Sequence, residues 1–206
     1  MILTRRSLLA AGIAAVGWRR DTVRVTLASD ADAALSDGVH FGVAEASRAM
    51  TLLGHRLELA AQSPLVIRAD ASIEAGGTRF LLAPEAAAIH ETLQRARAAV
   101  AVPGAARVAA WHHTLFRYGA SELNERFLDH TGAPMHAAHW LGWMAVKVIA
   151  EGALRAGTID GLPRVIARAR FDGHKGVALA FAPDTRRLRQ PLYVIDTSRD
   201  RVIWPV

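Results

Sequence analysis

RFDGHKGVALAF, residues 170–181, runs on within seven residues to LRQPLYVIDT, residues 188–197, and this pairing decides the fold. Gly173 and Gly176 supply the backbone freedom for a tight turn and a close approach between strands. Phe171 and Phe181 on either side read as core residues, leaving His174 and Lys175 as exposed contacts. The spacing matches neither a phosphate-binding P-loop nor a dinucleotide fingerprint. Strands are expected near Val177–Phe181 and Leu192–Ile195, with RVIWP, residues 201–205, as an edge strand.

Working outward, the preceding segments are helical. Leu162–Ala169 reads as a brief helix. Met135–Arg155 reads as a long one, with Pro134 in its first turn. Leu141, Met144, Ala145 and Val148 form its buried face, and Lys147–Glu151 and Glu151–Arg155 are i,i+4 pairs on its wet face. Ser121–Asp129 is a shorter helix, and ARVAAW, residues 106–111, a strand. Nearer the start, Val23, Val25 and Leu27 alternate as in a strand. Asp37 is placed to cap a helix carrying Val39, Val43, Ala46, Met50 and Leu53, which Gly54 stops. HRLELA, residues 55–60, returns as a strand, completing the strand–helix–strand unit that builds parallel sheet. TRFLLAP, residues 78–84, is a third strand before an alanine-rich helix with Ile89, Leu93, Ala96 and Val100 on one side. The fold class is therefore α/β, a parallel sheet with helices on both faces.

The chain has 206 residues, 51% of them hydrophobic, which suffices for one domain with a core or two small lobes. Cysteine is absent, which excludes disulfides, thiolate metal sites and a cysteine nucleophile. The formal charge of +6 is spread along the chain without a basic–aromatic motif, so nucleic acid is not expected as a partner. MILTRRSLLAAGIAAVGW, residues 1–18, has the charged, apolar and small-residue order of a secretory signal. Its TRRSLL resembles a twin-arginine export signal, which implies a periplasmic protein. Cleavage near Gly17 removes Arg5 and Arg6 and no acidic residue, so part of the basicity is targeting.

GVHFGVAEASRAMTLLGHRLEL, residues 38–59, resembles the first helix and second strand of type I periplasmic solute-binding proteins, the leucine/isoleucine/valine-binding class of ABC importers. NERFLDHTGAPMHAAHWLGWMAVKVIAEGALRAG, residues 124–157, resembles their late helix pair, and residues 170–196 their closing segment. The DGHKG and LRQPLYV wording is most similar to the branch associated with PQQ-dependent alcohol dehydrogenase systems. The resemblance implies a shortened type I architecture: a signal at 1–17, an N-terminal βαβ lobe remnant at 18–103 and a C-terminal α/β lobe remnant at 104–206. AVAVPGAARVAAW, residues 99–111, would then join an early-lobe piece directly to a late-lobe piece. Where the family continues past a Gly-Pro into serine or threonine, this chain has Ala83-Pro84-Glu85-Ala86, without the hydroxyl that grips an amino acid's carboxylate.

The implied function is binding of a small solute in a cleft without catalysis, with no cofactor. The partners are an ABC permease, through which alone the protein meets the membrane, or a PQQ-dependent dehydrogenase. Trp111, Trp140, Trp143 and Tyr118 concentrate flat apolar faces in the late half, as small-molecule pockets require. In the family the start of the long helix faces the cleft, which assigns His139 and Trp140, with Trp111, to ligand binding; Trp143 reads as core. Two other readings stay open. One is a ligand-free accessory protein that docks to an exported dehydrogenase or permease through an apolar patch. The other is a metal site on His136 and His139, with His130, His112 and His113 nearby, if a third ligand folds in. No GxSxG elbow is present, and Asp30, Asp32 and Asp37 flank a helix start, where capping explains them.

Overall fold

Val23 and Val25 are buried on Thr22–Leu27 (β1), while Arg24 faces outward and pairs with Glu58 of the neighbouring strand at 2.9 Å. That alternation is what a half-buried strand requires. The computed structural model describes residues 22–28 and 30–205. The export signal read at 1–17 lies outside the described residues. β1 leads into Ala33–Leu52 (α1) and returns as Arg56–Leu59 (β2), parallel to β1 from Thr22 opposite Arg56 to Val25 opposite Leu59. The expected strand–helix–strand unit is formed. Its cap is Asp32 rather than Asp37: the Asp32 carboxylate accepts the Leu35 N–H at 2.7 Å, and Asp37 falls more than a turn inside the helix.

Leu65–Ile67 (β3) runs parallel to β1 on its other side. Ser72–Ala75 (β4) and Thr78–Leu81 (β5) then add antiparallel strands, giving the order β2-β1-β3-β4-β5. The fold is α/β, with the parallel trio β2-β1-β3 forming one side of a mixed sheet. Ala86–Ala99 (α2) lies against Ala106–Ala109 (β6), the strand expected in ARVAAW. Ala120–Thr131 (α3), Ala137–Ala156 (α4) and Leu162–Arg168 (α5) follow. α4 begins three residues after Pro134, because His136 takes the extended cap conformation; Pro134 belongs to the preceding loop. The expected ion pairs are made, with Glu151 2.8 Å from both Lys147 and Arg155.

The opening stretch forms Arg170–Asp172 (β7) and Ala178–Phe181 (β8), a hairpin extended by Leu188–Arg189 (β9). Tyr193–Asp196 (β10) pairs antiparallel with β6 and with Arg201–Trp204 (β11), the expected edge strand. Phe171 and Phe181 are buried, as anticipated.

α1 and α4 set the relation between these sheets. A methyl group on Gly38 would sit 2.0 Å from the His139 carbonyl oxygen, and one on Gly142 2.3 Å from that of Leu35. Only hydrogen at these positions lets the two backbones approach so closely. α4 is buried on almost every side at its start, and Trp140, Trp143 and Met144 join one core with Val39, Phe127 and Phe171. Among the described residues no helix is long and apolar enough to cross a membrane.

Candidate functional site

The segment leaving β6, from Ala110 to Tyr118, is fastened to α3 by one side-chain amide. On α3, Asn124 accepts the Trp111 indole N–H at 2.9 Å, and its own Nδ2 donates to the carbonyls of His113 and Leu115 at 2.9 and 3.0 Å. With all three bonds made, the segment cannot slide along the helix. It ends in Tyr118, whose φ of +59° is rare for a bulky side chain, next to Gly119 at +80°.

The β7–β8 turn meets this segment from below. Gly176 has φ +74°, and a Cβ there would lie 2.6 Å from the Tyr118 ring. His174 also takes a positive φ, +57°, and its Nδ1–H donates to the Tyr118 carbonyl at 3.2 Å. Gly173 packs where a Cβ would strike Leu179 at 2.5 Å and Trp140 at 2.9 Å. Both glycines thus serve the turn and the close approach read from the sequence.

Lys175, expected among exposed contacts, is buried instead. Its Nζ donates to the Ala110 carbonyl at 2.5 Å, Gln190 Oε1 at 2.7 Å and the Pro191 carbonyl at 2.9 Å. It stands 4.0 Å from the centre of the Trp140 ring and 5.5 Å from that of Tyr193. Burial pushes the Lys175 pKa well down. Three oxygen acceptors and two ring faces oppose that, and three acceptors require the three N–H donors that only the ammonium carries.

Between these elements opens a cavity of about 360 Å³. Its walls include Phe116, Arg117, Tyr118, His174, Tyr193 and Arg201. Phe116 and Tyr118 are 65% and 66% exposed, which leaves two aromatic faces open to the cavity mouth. Arg117 lies over the Phe116 ring at 5.5 Å, and among the described residues no carboxylate pairs with Arg117 or Arg201. The Tyr193 hydroxyl is raised to about 12 by burial, with Tyr118 adding to it, so it stays a neutral donor at any ordinary pH.

The residues assigned from the sequence lie behind this cavity. Trp111 and Trp140 are fully buried and stacked, with ring centres 5.7 Å apart and planes within 8°. The Trp140 indole donates to the Gly173 carbonyl at 3.2 Å. His139 is buried against Phe127, and its Nδ1 accepts the His136 backbone N–H at 2.9 Å. The structure thus brings Trp111 and Trp140 together beside Lys175 and leaves His139 apart from them, against Phe127 and His136. Tyr118, named for its ring, does line the cavity. Phe116, Arg117 and Arg201 escaped the sequence reading; the alternation Phe116-Arg117-Tyr118-Gly119 was the available signal.

A second group of polar side chains adjoins. His112 is fully buried, and its Nε2 lies 3.1 Å from Asp200 Oδ1; His113 Nε2 lies 3.3 Å from Asp200 Oδ2. Burial holds His112, His136 and His139 below the usual imidazole value, although the Asp200 hydrogen bond opposes the shift in His112.

No family model matches the chain, and no curated protein matches it significantly. Among solved structures, an amino acid ABC transporter substrate-binding protein from Pseudomonas fluorescens Pf-5 is similar with a TM-score of 0.42 and 14% identity, over 50% of this chain and 30% of that one. A branched-chain amino acid ABC transporter periplasmic ligand-binding protein from Burkholderia xenovorans LB400 gives 0.42 and 12%, over 89% and 57%. A solute-binding protein of an ABC transporter from Rhodopseudomonas palustris BisB5, in complex with 3,4-dihydroxybenzoic acid, gives 0.41 and 13%, over 84% and 40%. The chain spans under two thirds of each of these proteins.

Proposed function

We propose that this protein is an exported, periplasmic solute-binding protein of the ABC-import type. It holds a small organic anion with an apolar or aromatic body in the cavity beside β10 and does not transform it. The observation that supports this reading is the cavity wall, where two exposed aromatic rings stand beside two guanidiniums that have no carboxylate partner among the described residues. Aromatic surface with a few fixed polar groups is the general make-up of a small-molecule site, and about 360 Å³ falls within the usual size range. An arginine fork suits a carboxylate, and a guanidinium keeps its proton, so these groups favour holding over proton transfer. The sequence resemblance supports the import class, and its DGHKG and LRQPLYV wording supports a place beside PQQ-linked alcohol oxidation. Trp111, His139 and Trp140 are then supporting residues, with the stacked indoles fixing Lys175 and, through it, the cavity floor.

A thermal-shift panel of organic acids, amino acids, alcohols and PQQ tests the reading, because a ligand of the folded state raises the midpoint by mass action. At least one organic acid is expected to raise it in the parent and not in Arg117→Ala. Absence of a shift with every anion overturns solute binding and favours the accessory-protein reading.

A further inference from the structure

Two remote segments bring three imidazoles to one point. His112 and His113 leave the end of β6, His136 caps α4, and each offers a nitrogen within 4.8 Å of the other two. The His113 and His136 rings meet edge to face at 5.5 Å, and those of His112 and His113 lie 4.4 Å apart. Asp200 joins them from the β10–β11 turn, where it holds a left-handed φ of +49° that sets its carboxylate against both His112 and His113. Aspartate tolerates that conformation better than most residues, yet it is still uncommon.

The hydrogen bonding around these rings is incomplete. Three buried side-chain polar atoms have no partner among the described residues, and two of them are His113 Nδ1 and His136 Nδ1. Buried polar atoms are nearly always paired, so two orphans in one cluster call for something to accept their lone pairs. For His113 the pattern is specific. If Nε2–H donates to Asp200, Nδ1 is left as a bare lone pair inside the protein. A carboxylate behind an imidazole, steering the opposite nitrogen, is the usual support of a metal-bound histidine. His112 differs: its Nδ1 accepts the Thr114 backbone N–H at 3.3 Å and lies 2.9 Å from Thr114 Oγ1, while its Nε2 faces Asp200, so it must release one of these partners to take an ion.

We propose that His112, His113 and His136, with Asp200 as the accompanying carboxylate, form a binding site for one divalent transition-metal ion, zinc or a near neighbour. Three imidazole nitrogens, with the Asp200 carboxylate behind two of the rings, suit zinc, copper or nickel rather than magnesium or calcium. Tetrahedral zinc wants its nitrogens about 3.3 Å apart at bonds of about 2.0–2.1 Å, so the rings need only draw together by a side-chain adjustment. The site departs from the simpler expectation of a His136–His139 pair: His136 is joined by His112 and His113, and His139 is not among the side chains whose nitrogens lie within 4.8 Å of one another. The bound ion would pin the β10–β11 turn to the start of α4.

Untagged, chelator-treated full-length mature protein, titrated with zinc chloride by calorimetry and seen by native mass spectrometry, tests the proposal. One zinc per chain is expected, and cobalt should give the visible bands of a tetrahedral centre. His113→Ala is expected to weaken zinc at least about 100-fold, and Asp200→Asn about 10- to 100-fold, the usual cost of losing a supporting partner. His90→Ala, on the exposed side of α2, should bind as the parent does. Circular dichroism establishes that His113→Ala is folded; if it is not, Asp200→Asn on its exposed turn decides. Failure to bind zinc, or equal binding by the parent, His113→Ala and Asp200→Asn, overturns the site. These readouts do not involve Arg117 or an organic anion, so they stand or fall apart from the solute-binding proposal.

Discussion

Lys175 and Arg117 line the same cavity, and both are cations set against aromatic rings. The lysine is enclosed, and three oxygens use all three of its protons while Trp140 and Tyr193 cover it. The arginine lies over the exposed Phe116 and has no carboxylate partner among the described residues. Two regions of similar composition therefore do different work. The enclosed cation ties the end of β6, the Gln190–Pro191 segment and α4 into one piece. The open one still has donors to offer. What separates binding surface from scaffold here is whether the hydrogen-bonding capacity is already spent.

The comparison breaks most severely at Lys175. Lys175→Met keeps the stem but strands the Ala110 and Pro191 carbonyls and the Gln190 amide oxygen. At about 1–3 kcal/mol for each buried group left unpaired, a loss of roughly 3 kcal/mol or more is expected in urea unfolding. A loss under about 1 kcal/mol would mean that solvent already reaches these oxygens. Gly38→Ala comes next. Its methyl group would collide with the His139 carbonyl, so α4 must shift and carry Trp140 with it. Overpacking of this kind costs about 1–3 kcal/mol, and an unchanged melting midpoint would show that the α1–α4 contact is looser than described.

The distinction could not be read from the chain. RFDGHKGVALAF gives a turn because glycine spacing and flanking aromatics act locally, and β8 forms where expected, whereas β7, three residues long, was not foreseen. The βαβ unit was equally legible, since alternation and helical periodicity are local signals. β3 was missed because three residues, LVI, carry too little pattern, and β4 because its Ser72 and Glu74 interrupt an apolar reading. The fate of Lys175 was invisible for another reason. Its acceptors at Ala110, Gln190 and Pro191 are main-chain or remote groups that only the tertiary fold brings together. Trp111 and Trp140 were recognised as belonging together without any sign that they stack beneath the cavity wall.

On the open side, Arg117→Ala and Phe116→Ala should leave stability within about 0.5 kcal/mol, as surface changes usually do. Their effect belongs to binding. A charge-assisted bond is worth about 1.5–3 kcal/mol, so Arg117→Ala should weaken an organic anion roughly tenfold or more. Equal affinity in parent and variant, measured by calorimetry, would move the anion elsewhere.

The smallest effect recurs within one hairpin, where a second pair of like groups divides in the same way. Asp196 is buried, and its Oδ1 accepts the Ser198 hydroxyl at 2.6 Å and the backbone N–H groups of Ser198 and Arg199 at 3.0 and 3.3 Å. Four residues on, Asp200 is exposed and faces the histidines. The Ser198 hydroxyl, with those N–H groups, holds the Asp196 carboxyl below the usual range. A depressed folded-state pKa means that the unfolded chain takes up the proton first as the medium is acidified. The stabilising effect of Asp196 is therefore complete above the unfolded value of about 3.9 and lost as pH falls through the folded one. Asp196→Asn keeps an acceptor for Ser198 but has no proton to gain. Urea midpoints of parent and variant should thus lie furthest apart at pH 6 and converge towards pH 3. A separation that stays constant across that range would show that the carboxylate's charge contributes nothing to the turn.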